Sequence, residues 1–211
     1  MVEESESTHL TSLTLLEQLG EQSPGSWERF VRLYAPLVYG WARNAGVEPD
    51  HASDIRQEVF KVVWQKLPTF DSDRSDSGGF RSWLWGITRL QMLDHFRRES
   101  AQTPGAGGSS ANFRLQELTE GSDEPESVAG NSAHQIVVQS AMEILQSETA
   151  SDTWQSFYRM AVKGDSAKTI GEELGMTSKA VRQAKFRVTQ KLRELVGTDF
   201  PLLLQSDSEH S

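Results

Sequence analysis

GFRSWLWGITRLQMLDHFRR, residues 79–98, is the stretch that decides how the rest of this sequence is read. At about 100° per residue, Phe80, Trp83, Leu84, Ile87 and Leu90 line up on one side of a helix, the spacing of a stripe that faces a core. The opposite side carries Arg81, Trp85, Arg89, Met92 and Phe96. Large apolar groups alternate there with guanidinium groups, which a solvated face rarely shows. Two readings compete. Either Trp85 and Phe96 pack under a neighbouring helix while the arginines solubilise the surface, or the aromatics stack on unpaired bases while the arginines neutralise phosphates. The stretch sets four arginines against one aspartate, Asp94, and its context has to decide.

With 211 residues, 36% hydrophobic and 24% charged, the chain has material for one large or two small globular domains. It contains no run of about 18 apolar residues, and its start, MVEESESTHL, is acidic and polar. A cytoplasmic protein without membrane insertion is therefore expected. Cysteine is absent, which excludes disulfides, thiolate chemistry and cysteine-ligated metal. His9, His51, His95, His134 and His210 are too dispersed to suggest a shared metal site, so no metal and no cofactor are expected. No nucleophile–base pair and no phosphate loop is present either, so no catalytic residue is assigned and the chain does not read as an enzyme.

The net charge of −9 opposes indiscriminate coating of nucleic acid. The acid is unevenly placed, however, with Glu3, Glu4 and Glu6 at the start, Glu117, Glu120, Asp123, Glu124 and Glu126 in the middle, and Asp207 and Glu209 at the end. Against that background two helical segments are basic, an arrangement that confines nucleic-acid binding to them.

In chain order, an extension over 1–25 holds a short helical pattern broken by Ser23, Pro24 and Gly25. A helical domain is predicted over 26–99. Its first helix, 26–44, has Phe30, Leu33, Tyr34, Leu37, Val38 and Trp41 on one face and Pro36 inside, where a bend or division is expected. Its second helix, 49–67, turns Ile55, Val59, Val62 and Val63 inward and presents Asp54, Gln57, Glu58, Lys61 and Gln65 on a polar face. The loop 69–79 is rich in turn formers yet carries Phe70. Over 100–133 glycine, proline, serine and acid dominate, which predicts a flexible linker with at most a weakly docking turn over 113–118.

A second helical domain is predicted over 134–196, followed by a tail, 197–211. Within it a short helix at 166–174, a turn at Gly175, Met176 and Thr177, and a longer helix from Ser178 outline a helix-turn-helix. Ala167, Ile170, Leu174, Val181, Val188 and Leu192 supply the small and branched residues that let two such helices cross. The last helix sets Lys179, Arg182, Lys185, Arg187, Lys191 and Arg193 against Glu194. The predicted fold is all-α, two small helical domains joined by a flexible linker.

Both halves resemble one family, the bacterial RNA polymerase sigma factors of the extracytoplasmic-function type. The region-two pattern is carried by Asp54, Ile55, Gln57, Glu58, Val59 and Phe60, then Val62, Val63, Trp64, Leu67, Pro68 and Phe70, then Phe80, Arg81, Trp83, Leu84, Trp85 and Ile87, and finally Asp94, Arg97 and Arg98. The region-four pattern is carried by Ile170, Glu172, Leu174, Gly175, Met176, Thr177, Val181, Arg182, Lys191, Leu192 and Arg193.

The resemblance implies core RNA polymerase and promoter DNA as partners, and leaves open an anti-sigma factor. It makes Asp54, Gln57, Glu58 and Lys61 the contact with core polymerase. Phe70, Arg81, Trp85 and Arg89 become the residues that recognise and melt the proximal promoter element. Ser178, Lys179, Arg182, Gln183 and Arg187 become the readers of the distal element. The chain departs from the family's pattern at Gly86, Leu90 and Ala184. The alternative is a free-standing helix-turn-helix regulator with an N-terminal helical domain, which would bind its site without polymerase.

Overall fold

The computed structural model describes residues 25–70, 79–102, 108–121, 125, 127–128 and 131–196. They divide into two compact units, with the boundary between Val137 and Val138. Apart from a two-residue antiparallel ladder, β1 (Ser127–Val128) against β2 (Asn131–Ser132), the described elements are helical, as the hydrophobic periodicity predicts.

In the first unit, α1 (Ser26–Asn44) buries the six predicted apolar residues together with Ala42. Pro36 falls on its exposed side and the helix continues through it undivided. Its end is fixed by Gly46, whose φ of 83° is open to glycine at little cost. The amide of Gly46 donates to Arg43 and that of Val47 to Ala42, both at 3.0 Å, so the last carbonyls of the helix are satisfied. Helix α2 (Pro49–Lys66) starts with proline at a position that needs no amide, and buries Ala52, Ile55, Val59, Phe60 and Val63.

Helix α3 (Gly79–Gln102) packs on both α1 and α2. The joint is aromatic: Phe30 meets Phe60 and Phe80 edge-on at 5.9 and 5.5 Å, and Tyr34 lies 5.3 Å from Phe80. Further along, His95 of α3 faces His51 of α2 with ring centroids 5.0 Å apart. Burial, then the charge of His51, then that of Arg98 hold the pKa of His95 below its ordinary value, against the opposing pull of Glu99.

Composition predicts coil over 100–133, but helix α4 (Gly108–Glu120) stands there, within the first unit, and packs along α3. The glycines that suggest a linker, Gly105, Gly107, Gly108 and Gly121, lie before, at and after its ends. Its described interior, Asn112 onward, is made of residues a helix tolerates. Leu115 and Leu118 are half-buried, and the Arg114 guanidinium sits 5.8 Å above the ring of Phe96. A Cβ on Gly46 would stand 2.8 Å from that guanidinium, so the turn after α1 is also part of the seat. Past α4, Val128 of β1 is buried close to Gly40 of α1, where a Cβ would come within 2.5 Å of it.

Helix α5 (Ala133–Glu148) opens on a reciprocal cap: Ser132 Oγ accepts from the Gln135 amide at 3.1 Å while Gln135 Oε1 accepts from the Ser132 amide at 2.8 Å. In the second unit, α6 (Ser151–Tyr158) runs into a wider π turn, Arg159–Lys163, that Gly164 closes with φ 78°. Arg159 ties this turn to the chain beyond it, reaching Asp165 at 2.7 Å and Glu173 at 2.5 Å. Its guanidinium holds the Glu173 carboxyl below the usual range.

Helix α7 (Ala167–Leu174) is capped by Ser166, whose Oγ accepts from the Thr169 amide at 3.1 Å. Helix α8 (Ser178–Val196) is capped by Thr177, whose Oγ1 accepts from the Ala180 amide at 3.1 Å. The turn between them closes because residue 171 is glycine: a Cβ there would stand 2.5 Å from the carbonyl oxygen of Met176. Ala167, Ile170 and Val181 form the core of the crossing, with Met160, Leu174 and Met176 around it. No helix among the described residues is long and apolar enough to cross a membrane.

Candidate polymerase and nucleic-acid interfaces

Helix α2 turns its apolar residues toward α1 and α3, which leaves Asp54, Gln57, Glu58 and Lys61 together on exposed surface. Lys61 bonds Glu58 at 2.6 Å, with both side chains more than half exposed. Such a pair adds little stability, so these residues are not held there by folding. The face runs into an open groove of about 880 Å³ between α1 and α2, whose apolar lining includes Trp27, Val31, Phe60 and Trp64. Trp64 is 51% exposed and leans edge-on against Trp27 at 4.9 Å. Trp64 is absent from the site residues expected from the sequence. Its spacing is the signal that could have found it, since 54, 57, 61 and 64 fall at steps of three and four on one face.

At the start of α3, Phe70 and Trp83 are half-exposed and lie 5.0 Å apart, both resting on buried Phe80 at 5.5 and 5.4 Å. Arg81 directly follows Phe80 in sequence and is half-exposed. The loop between Phe70 and Gly79 lies outside the described residues, as do the extension before Gly25 and the tail after Val196.

The two faces expected of α3 are not the ones observed. Trp85 is a core residue, 5% exposed and edge-on to Trp41 at 5.4 Å, and Met92 and Phe96 are wholly buried. Trp85 therefore offers no surface for stacking a base. Leu90, assigned to the core by periodicity, is 58% exposed. Gly86 is exposed too, with open space where a Cβ would be. The reason is the number of neighbours: α1, α2 and α4 all pack on α3, so its buried surface is wider than one stripe and is rotated away from Leu90. Arg89 is half-exposed and directed at α4, where its Nε donates to the Leu118 carbonyl at 2.6 Å and its Nη2 to that of Thr119 at 2.9 Å.

On α8 the expected face is open. Lys179, Arg182, Gln183 and Arg187 are exposed and Ser178 is half-exposed, while Val181, Ala184, Val188 and Leu192 point into the unit. Ala184 is wholly buried, so its departure from the family's pattern falls on a packing position. Phe186, likewise absent from the expected site residues, is 63% exposed. Helical spacing sets it on the face that carries Lys179, Arg182 and Gln183, an apolar group amid donors. Among the described residues no three His, Asp or Glu side chains are grouped to hold a metal.

Residues 30–102 match the Sigma-70 region 2 family. Over 162 residues the chain is 29% identical to RNA polymerase sigma factor CnrH of Cupriavidus metallidurans, an alignment covering 75% of this chain and 80% of that protein. It is 30% identical over 71 residues to ECF RNA polymerase sigma factor RpoE of Cereibacter sphaeroides, covering 34% of this chain and 38% of the relative. It is 37% identical over 59 residues to RNA polymerase sigma factor NccH of Alcaligenes xylosoxydans xylosoxydans, covering 27% and 30%. The first alignment spans most of the relative, and the other two less than two fifths of theirs.

Proposed function

Since the chain belongs to the extracytoplasmic-function RNA polymerase sigma factors, we propose that its three surfaces divide the work of initiation among them. A sigma factor is not an enzyme; it directs RNA polymerase to promoters. The exposed face of α2, Asp54, Gln57, Glu58 and Lys61, extended by Trp64 and its groove, is the contact with core polymerase. Half-exposed Phe70 and Trp83, with Arg81 and Arg89, meet the strand opened at the proximal element. Trp85, buried against Trp41, stands outside that contact.

The face of α8 reads the distal element in the major groove. Lys179 and Arg187 serve phosphates, while Arg182 and Gln183 have the donors and length to address base edges. The action is cytoplasmic, and an anti-sigma factor that covers the α2 face would silence the protein by competition.

The observation that carries this reading is the coexistence, in one chain, of a unit with an open mixed-charge face and a second unit whose basic helix is open to solvent. The double variant Asp54→Arg/Glu58→Arg is expected to lose co-purification with core polymerase while keeping its circular dichroism spectrum. Unaltered co-purification of the folded variant would remove α2 from the interface. Run-off transcription with core polymerase and a randomised promoter library then tests the whole assignment.

A further inference from the structure

Helix α4 ends on the guanidinium of Arg89. A helix leaves its last four carbonyls without intrahelical partners, and they form the negative end of its dipole. Two of them, those of Leu118 and Thr119, are bonded by Arg89 at 2.6 and 2.9 Å. The contacts described between α4 and its seat are polar and apolar together: it runs along α3, Ser100 Oγ meets Asn112 Oδ1 at 3.0 Å, and Arg114 lies over Phe96 and against Gly46. Leu115 and Leu118 are only half-buried, whereas Phe113, Gln116, Glu117, Thr119 and Glu120 are exposed. A helix of 13 residues is marginal without tertiary support, so this one depends on its seat, and it lies between Gly- and Pro-containing stretches.

We infer that α4 is a displaceable strap: while docked it withholds Arg89 from nucleic-acid phosphates, and single-stranded DNA competes with it for that guanidinium. This rests on the reading of Arg89 as a contact to the opened strand. A phosphodiester carries a formal negative charge where the carbonyls are neutral dipoles, and a guanidinium can meet it with two parallel N–H···O bonds. The change of partner therefore gains Arg89 an anionic acceptor once a strand is present, and what opposes it is the undocking of α4 from α3. Glu117 and Glu120 on the exposed side of α4 add repulsion toward an approaching strand for as long as the strap is closed.

The absence of native cysteine makes a clean lock available. In the full chain, Ser100→Cys/Asn112→Cys joins α3 to α4 when oxidised, with closure read by thiol titration. Fluorescence anisotropy with a labelled mixed-sequence single-stranded DNA at low salt is expected to give a Kd about tenfold higher for the oxidised form than for the reduced form, the scale of one charged hydrogen-bonding contact. Arg89→Ala in the same background is expected to bind weakly in both states. Independently of the lock, Arg114→Ala loosens the seat and is expected to tighten binding severalfold. Equal affinity of oxidised and reduced forms, with Arg89→Ala weaker than both, overturns the strap and leaves the role of Arg89 standing. Wild-type affinity in Arg89→Ala overturns that role and the strap with it. A lock effect that persists without Arg89 overturns the competition for its guanidinium.

Discussion

Helices α3 and α8 carry the same kind of pattern, arginines interleaved with large apolar residues, and fold it in opposite senses. On α3 the aromatic Trp85 is in the core and Arg89 is engaged by α4; on α8 the aromatic Phe186 and the cations Arg182 and Arg187 all face outward. The difference lies in what surrounds each helix. Three helices pack on α3, whereas within its unit α8 is held by α6 and α7. An amphipathic pattern says that a helix has two faces. The count of neighbours determines how wide the buried one is.

The largest effect that would break this contrast is in the aromatic pair. Trp85→Ala is expected to cost about 3–5 kcal/mol of folding stability and to impair every activity together, whereas Phe186→Ala is expected to stay within about 0.5 kcal/mol of wild type and to weaken DNA binding alone. Urea denaturation of the two variants measures both, and a stable Trp85→Ala would return that residue to the surface. Next in size is Gly171→Ala, whose new methyl must displace the Met176 carbonyl; about 1–3 kcal/mol of stability should be lost from the second unit, as in other overpacked sites. Native-state hydrogen exchange would localise the loss to α7 and α8.

Readout by α8 is sharpened by Arg182→Ala and Gln183→Ala. Each is expected to relax preference at one base pair by about 1–3 kcal/mol without altering stability, measured by promoter selection with reconstituted holoenzyme. Unchanged selection in both variants would leave the helix binding phosphate only. The smallest effect is at His95. Because its pKa lies below 6.5 in the folded protein, the unfolded chain takes up the proton first as pH falls. The stability tied to His95 is thus whole above about pH 6.5 and is lost as pH falls from there toward the folded value. His95→Gln should flatten the slope of melting temperature between pH 7.5 and 5.5, and an unchanged slope would show that other groups set it.

Legibility in the sequence divides along the same line. The α1 stripe, the polar face of α2 and the turn between α7 and α8 are legible because each depends on one periodicity or one local signal, such as the turn at Gly175, Met176 and Thr177. Periodicity puts Trp85 and Leu90 on the wrong sides because α1, α2 and α4 all pack on α3 and Trp85 meets Trp41 of α1, and the glycines at the margins of α4 hide that helix. Trp64 and Phe186 escape for the complementary reason: an aromatic residue within a charged face reads as core by its type, although its spacing places it outside.

The boundary between the units falls inside α5, five residues into the helix, whereas the cap of that helix is built by Ser132 and Gln135 on the near side of the boundary. Anyone dissecting the chain at the point where contacts thin out would produce a second unit beginning at Val138, a helix with a raw, uncapped start. Loss of a cap costs about 0.5–2 kcal/mol, so such a fragment would understate the intrinsic stability of the half that carries α8. A fragment that begins at Asn131 keeps both capping bonds, and the two fragments should differ in midpoint denaturant concentration although they contain the same α6, α7 and α8.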